Sequence, residues 1–231
     1  VRIEVISKNG EVIYQSSSKD KPEQIDTLAV PYPTYWIRPQ RVLANTPGQH
    51  RFVWNLRYTS PRGAQRQLPI AAVHKNTPSG PYAPFVAPGV YTIRLTADGV
   101  LSEQPITIKL DPRVAISESD LKLQTELSLA CFTSYNDLQA VRELIDKNLS
   151  DTKYKWGKGK KEQAVALRGS GSPDNPDIMY GGIGESSLEN ETLVSLQDKF
   201  LHVLAVLQSA DVRPTAASVQ AVEKLKLRKE E

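Results

Sequence analysis

The chain has one cysteine, Cys131, and therefore no intrachain disulfide and no thiolate-rich metal centre. Its neighbours Leu127, Leu129, Ala130 and Phe132 mark that thiol as a small buried hydrophobe rather than a nucleophile. Histidine is scarce as well. His50, His74 and His202 lie far apart, and no HExxH, GxSxG or His/Cys cluster accompanies them. Charge of one sign is missing: 29 basic residues against 26 acidic ones leave a net +3, interleaved along the chain, so no nucleic-acid partner is expected. Long apolar runs are missing too, so no membrane-spanning helix is expected. With 39% hydrophobic and 24% charged residues, the chain has a globular composition and enough length for one large core or two small ones.

Turn residues and alternation organise the first half. In Pro88-Gly89-Val90-Tyr91-Thr92-Ile93-Arg94-Leu95, Val90, Thr92 and Arg94 share one face of a strand while Tyr91, Ile93 and Leu95 share the other. Ile106, Ile108 and Leu110 resume the alternation beyond Asp98-Gly99, a hairpin-turn dipeptide. Val1, Ile3 and Val5 open a strand at the first residue, and Asn9-Gly10 turns it into a second. That abrupt start reads as a piece of a longer chain. Phe52, Trp54 and Leu56 alternate with Arg51, Val53, Asn55 and Arg57, the pattern of a half-buried antiparallel strand with Trp54 in the core. Residues 30–39 carry three prolines and read as an extended crossing or an edge, and residues 59–87 form a long Pro/Gly-rich connection. Short strands punctuated by turns predict an antiparallel, Ig-like β-sandwich over residues 1–115.

Helical periodicity takes over afterwards. Ser117 followed by Glu118 and Asp120 is a helix start, and Leu127, Cys131, Leu138 and Ile145 repeat at helical spacing. A short helix fits Glu162 to Leu167. Ser186-Ser187-Leu188-Glu189 has capping-box spacing ahead of Leu193, Leu196, Phe200 and Leu204, and Pro214-Thr215 restarts a last helix. Residues 116–231 are expected to form a helical hairpin or small bundle.

Three polar motifs have plain explanations. Gly181-Gly182-Ile183-Gly184 lacks the preceding strand and the lysine of a phosphate loop, and reads as a glycine lead-in. Asp174-Asn175-Pro176-Asp177 lacks the spacing of a calcium loop. Lys153-Tyr154-Lys155-Trp156-Gly157-Lys158 interleaves cations with aromatics, and reads as a solvated loop tip. No cofactor is expected. The candidate contact residues are Tyr32, Tyr35, Trp36, Tyr82 and Phe85, aromatics set in proline-rich loops. Such rings anchor a neighbouring domain or stack on sugars, and their bland alternative is to cover the ends of the sandwich.

The run Gly48-Gln49-His50-Arg51-Phe52-Val53-Trp54-Asn55-Leu56-Arg57-Tyr58, with Gly80-Pro81-Tyr82-Ala83-Pro84, Pro88-Gly89-Val90-Tyr91 and Asp111-Pro112-Arg113-Val114, resembles a known arrangement. It is similar to the C-terminal region of bacterial BNR-repeat, sortilin-like β-propeller proteins often labelled glycosyl hydrolases. In these a FlgD-like immunoglobulin-type domain follows the propeller, and helices follow that domain. The family's Ser-x-Asp-x-Gly-x-x-Trp repeats are absent from this sequence. The resemblance therefore implies a non-catalytic accessory module of an exported protein, with the preceding propeller as partner. Its alternatives are a carbohydrate-binding module using Tyr35, Trp36 and Tyr82, or a part of a hydrolase whose active site lies in the propeller.

Overall fold

The computed structural model describes residues 1–21, 33–36, 42–63, 80, 82–169 and 192–230. Tyr32, the Asp174–Asp177 run, the 181–184 glycines and the capping-box residues 186–189 lie outside them. The described residues divide into two compact units, one drawn from 1–59 and 85–115 and the other from 60–63, 80, 82–84 and 116–230. Pieces of the long Pro/Gly-rich connection thus group with the helices, although they lie inside residues 1–115.

The first unit is one antiparallel sheet of four strands: β1 (Arg2–Ile6), β2 (Val12–Ser17), β3 (Gly89–Ala97) and β4 (Val100–Ile108), in the order β2-β1-β3-β4. Both hairpin turns follow from their glycines. Asp98 and Gly99 take φ of 51° and 82°, a two-residue turn with both centres left-handed, which closes the Ala97–Val100 pair. Gly10 takes φ of 83° after a Ser7–Gly10 turn, the three-residue form. A bulge beside the Val5/Ile6 step leaves Ile13 as the extra residue, and both Ile13 and Tyr14 reach the same apolar cluster.

The register sorts the faces. Ile3, Val5, Tyr14, Tyr91, Ile93, Leu95 and Ile106 share one. On the other, Gln15, Glu4, Arg94 and Glu103 line up across all four strands. Glu4 is 7% exposed there, held by Arg2 at 2.6 Å and by Arg94 at 3.8 Å, and Arg94 also meets Glu103 at 2.7 Å. β4 is an edge strand. Counting from the closing pair, Thr92–Pro105 lacks mutual hydrogen bonds, so the nitrogen of Pro105 stands where a donor would face the open edge.

Residues 51–58 do not form the expected strand. Exposure alternates through Phe52 and Trp54, then Leu56 adopts φ of 59° and is 40% exposed. A left-handed residue ends the alternation, and the Asn55 side chain fixes the bend by accepting from the Arg57 N–H at 3.2 Å. What remains of pairing is a single bridge between Arg57 and Phe85. The segment lies across the sheet as a cover, not as a member of a second ladder. Thr34–Trp36, expected to be extended, is a short 3-10 turn.

The second unit has four described helices: α1 (Glu118–Ser150), α2 (Lys160–Arg168), α3 (Leu193–Leu207) and α4 (Ala216–Glu230). Ser117 caps α1 by accepting from the Asp120 N–H, as its sequence position suggested. The cap observed at the start of α3 is Thr192, in a reciprocal pair with Ser195. Leu127, Cys131, Tyr135 and Leu138 of α1 meet Leu196, Phe200 and Leu204 of α3 and Val222 and Leu225 of α4 in one core. The α3 C-terminus is closed from α1: the buried Gln124 amide donates to the carbonyls of Leu207 and Ala210 at 2.6 and 2.7 Å. No described helix is long and apolar enough to cross a membrane.

Candidate functional site

The sheet face bearing Val5 is covered by aromatics at one side only. Trp54 meets Tyr14 at 6.1 Å and Tyr91 at 6.5 Å between ring centroids, and Phe52 meets Tyr14 at 6.1 Å. Val86 drops into the same cluster, and its N–H donates to the Leu56 carbonyl at 2.9 Å. Polar ends are satisfied locally: the Trp54 indole donates to the Arg57 carbonyl at 2.8 Å, and the Tyr91 hydroxyl to the Ala87 carbonyl at 2.7 Å. Burial raises the phenol pKa of Tyr14 and Tyr91. It pushes Tyr58 up to about 12, with Tyr91 and Glu11 adding to the effect. These rings form a lid on the sheet, and Trp54 is half-buried core.

Beyond that lid, no described residue seals the same face. Leu95, Val100 and Ile106 alternate along the β3–β4 hairpin and are 39%, 71% and 36% exposed. Leu101 and Val90 are exposed on the reverse side. β4 has no fully buried residue along its length. The part of the hairpin that carries these exposed side chains, away from the Tyr91, Ile93 and Ile108 side chains packed on the cluster, is the least self-sufficient part of the described unit.

The aromatics singled out from sequence are placed separately. Tyr35 stands 64% exposed with its ring edge-to-face against Trp36, centroids 6.3 Å apart. Phe85 carries the Arg57 guanidinium 3.5 Å above its ring centre, a cation–π contact that fixes the Arg57–Phe85 bridge. Tyr82 belongs to the other unit, exposed beside the buried Ala83 and Pro84. The Tyr35–Trp36 pair and Phe85 are thus two distinct exposed features of the sheet unit.

A buried polar cluster in the helical unit escaped sequence reasoning. Arg142, 7% exposed, donates to Gln197 of α3 at 2.7 Å and to Gln139 at 3.2 Å, while the Gln197 amide donates to Gln139 and to the Tyr135 carbonyl. Gln139 donates onward to Glu143, which pairs with Arg62 of the connecting segment at 2.5 Å. Burial, and after it the neighbouring Arg168, push the Arg142 guanidinium below its usual range. The only signal in the sequence was an arginine inside an apolar helical stripe. The cluster ties α1 to α3 through the Arg142–Gln197 and Gln197–Gln139 hydrogen bonds.

Two described carboxylates have displaced pKa values: Asp111 and Glu143 are both pulled down, chiefly by their hydrogen bonds from Arg113 and Arg62, the opposite of what a proton donor needs. Burial pushes the Cys131 thiol up to about 12, which keeps it protonated and unreactive. Among the described residues no group of three or more His, Cys, Asp or Glu is placed to hold a metal.

No family model matches this chain, and no curated protein or solved structure matches it.

Proposed function

We propose that this chain is a non-catalytic interaction module, and that the half-covered sheet is one layer of an Ig-like sandwich docking on a neighbouring domain. The observation that carries the reading is the β3–β4 hairpin, with Leu95, Val100 and Ile106 exposed on the face whose other half is sealed by Trp54 and Val86. Exposed Tyr35, set against the half-buried Trp36, extends the apolar area that a neighbour can cover. The resemblance to the region after a BNR-repeat, sortilin-like propeller names that neighbour as the propeller of an exported parent chain.

The test is hydrogen exchange on the chain alone and on the chain extended through its upstream domain. Exchange at residues 95–106 and at Tyr35–Trp36 is expected to slow in the longer protein. Unchanged exchange at both overturns docking. A glycan array that lights up through Tyr35, Trp36 and Tyr82, and goes dark on their replacement with alanine, moves the reading to a carbohydrate-binding module.

A further inference from the structure

The lysine–aromatic run at 153–161, which on sequence reads as a solvated loop tip, is folded against α2 into an open pocket of about 390 Å³. One wall is a helix face: Lys160, Gln163, Ala164 and Leu167 follow one another at i, i+3, i+4 and i+7. The opposite wall is Tyr154 and Trp156, ring centroids 4.9 Å apart and planes at 66°, with Lys155 between them in sequence. An edge-to-face pair leaves a ring face open, and Tyr154 is 45% exposed.

The donor set decides what such a pocket takes. Its charged lining groups are the Lys155 and Lys160 ammoniums, which donate and never accept. Gln163 supplies the one side-chain amide, and no carboxylate lines the pocket. Neutral sugars are held by groups that both accept from and donate to their hydroxyls, and here only the Gln163 amide and the Tyr154 hydroxyl can accept. Lys153, Lys158 and Lys161 add positive charge close by in sequence, against Glu162 alone within 152–167, so the local field favours an anion although the whole chain is nearly balanced. Two ammoniums suit a phosphate monoester, which carries close to two negative charges at neutral pH. The volume is at the small end for ligand pockets, enough to seat one ring.

We propose that this pocket binds a small phosphorylated ring compound, its ring against Tyr154 and Trp156 and its phosphate held by Lys155 and Lys160. Nucleotide and sugar phosphate share that chemistry. The proposal is independent of the docking reading, since it uses only residues 154–167.

The experiment titrates the full chain at low salt with uridine monophosphate, glucose 6-phosphate, uridine, glucose and inorganic phosphate. The Trp156 indole N–H and the Gly157 and Ala164 amides are followed by NMR. Saturable shifts are expected with one or both phosphorylated rings, at least tenfold tighter than with the unphosphorylated ring or with inorganic phosphate. Which of the two binds identifies the source. Lys155→Ala with Lys160→Ala should weaken binding at least tenfold with unchanged circular dichroism. Trp156→Ala, read at Gly157 and Ala164, should bring the ring compound down to the affinity of inorganic phosphate. Absence of saturation, or equal affinity for inorganic phosphate, overturns the proposal.

Discussion

Among the described residues, the helical unit closes its core on twelve buried side chains, whereas the central cluster of the sheet unit holds three, Val5, Ile13 and Val86, ringed by half-buried aromatics. A helix hairpin can bury a whole stripe against its partner, and α1, α3 and α4 do so around Tyr135 and Phe200. A single sheet has two faces to cover, and here one carries the Glu4–Arg94–Glu103 row while the other is covered over only part of its area. Apolar burial is the main favourable contribution to folding, so the two units differ in how much stability each generates from its own residues.

The most severe way to break this contrast is at Phe200, fully buried in the helical core. Phe200→Ala should cost about 3–5 kcal/mol in denaturant unfolding followed by helical circular dichroism. A loss below about 1 kcal/mol would mean that the core is not the tightly packed one described.

Next comes the polar cluster. Gln197→Leu removes the closest acceptor of buried Arg142 and should cost about 2–3 kcal/mol. Arg142→Met, which removes the charge itself, should cost less. The reverse order would show that Arg142 is held by solvent rather than by Gln197.

On the sheet side, Trp54→Ala should cost about 2 kcal/mol, less than a fully buried ring, because Trp54 keeps part of its surface in water. The measurement is the denaturation midpoint of the sheet unit followed by Trp36 fluorescence, and an unchanged midpoint would place Trp54 outside the core.

The last effect is alkaline and grows with pH. Folded Tyr58 and Cys131 keep their protons to about pH 12, whereas in the unfolded chain they release them near their ordinary values of 10.0 and 9.0. The unfolded state therefore binds fewer protons above pH 9, and stability falls as pH rises from there. Tyr58→Phe should make the decline shallower above pH 10. An identical slope in the variant would place the Tyr58 hydroxyl in water.

Legibility in the sequence followed local physics. Asp98-Gly99 and Asn9-Gly10 dictated their hairpins, Ser117 its cap, and the alternation of Tyr91, Ile93 and Leu95 its sheet face. Residues 51–58 misled because period-two alternation is shared by a strand and by an extended cover, and only the left-handed Leu56 separates them. The α3 cap at Thr192 was hidden because Ser195 replaces the usual acidic partner of a capping box. Arg142 was unreadable for a different reason. Its partners Gln139 and Gln197 come from two helices, and nothing in either stretch announces the other. Tyr154 and Trp156 were visible as a pattern, but their pocket needs the opposing face of α2.

Pro105 bears on what happens when the sheet stands alone. A flat apolar hairpin with an open edge is a template on which further copies could add strand by strand. With no donor to offer at mid-edge, β4 interrupts that ladder, and Glu103 beside it sets like charges against each other when copies stack parallel and in register. The hairpin can keep its greasy face for a partner that lies flat on it, while fibril growth along the edge is denied a continuous row of hydrogen bonds.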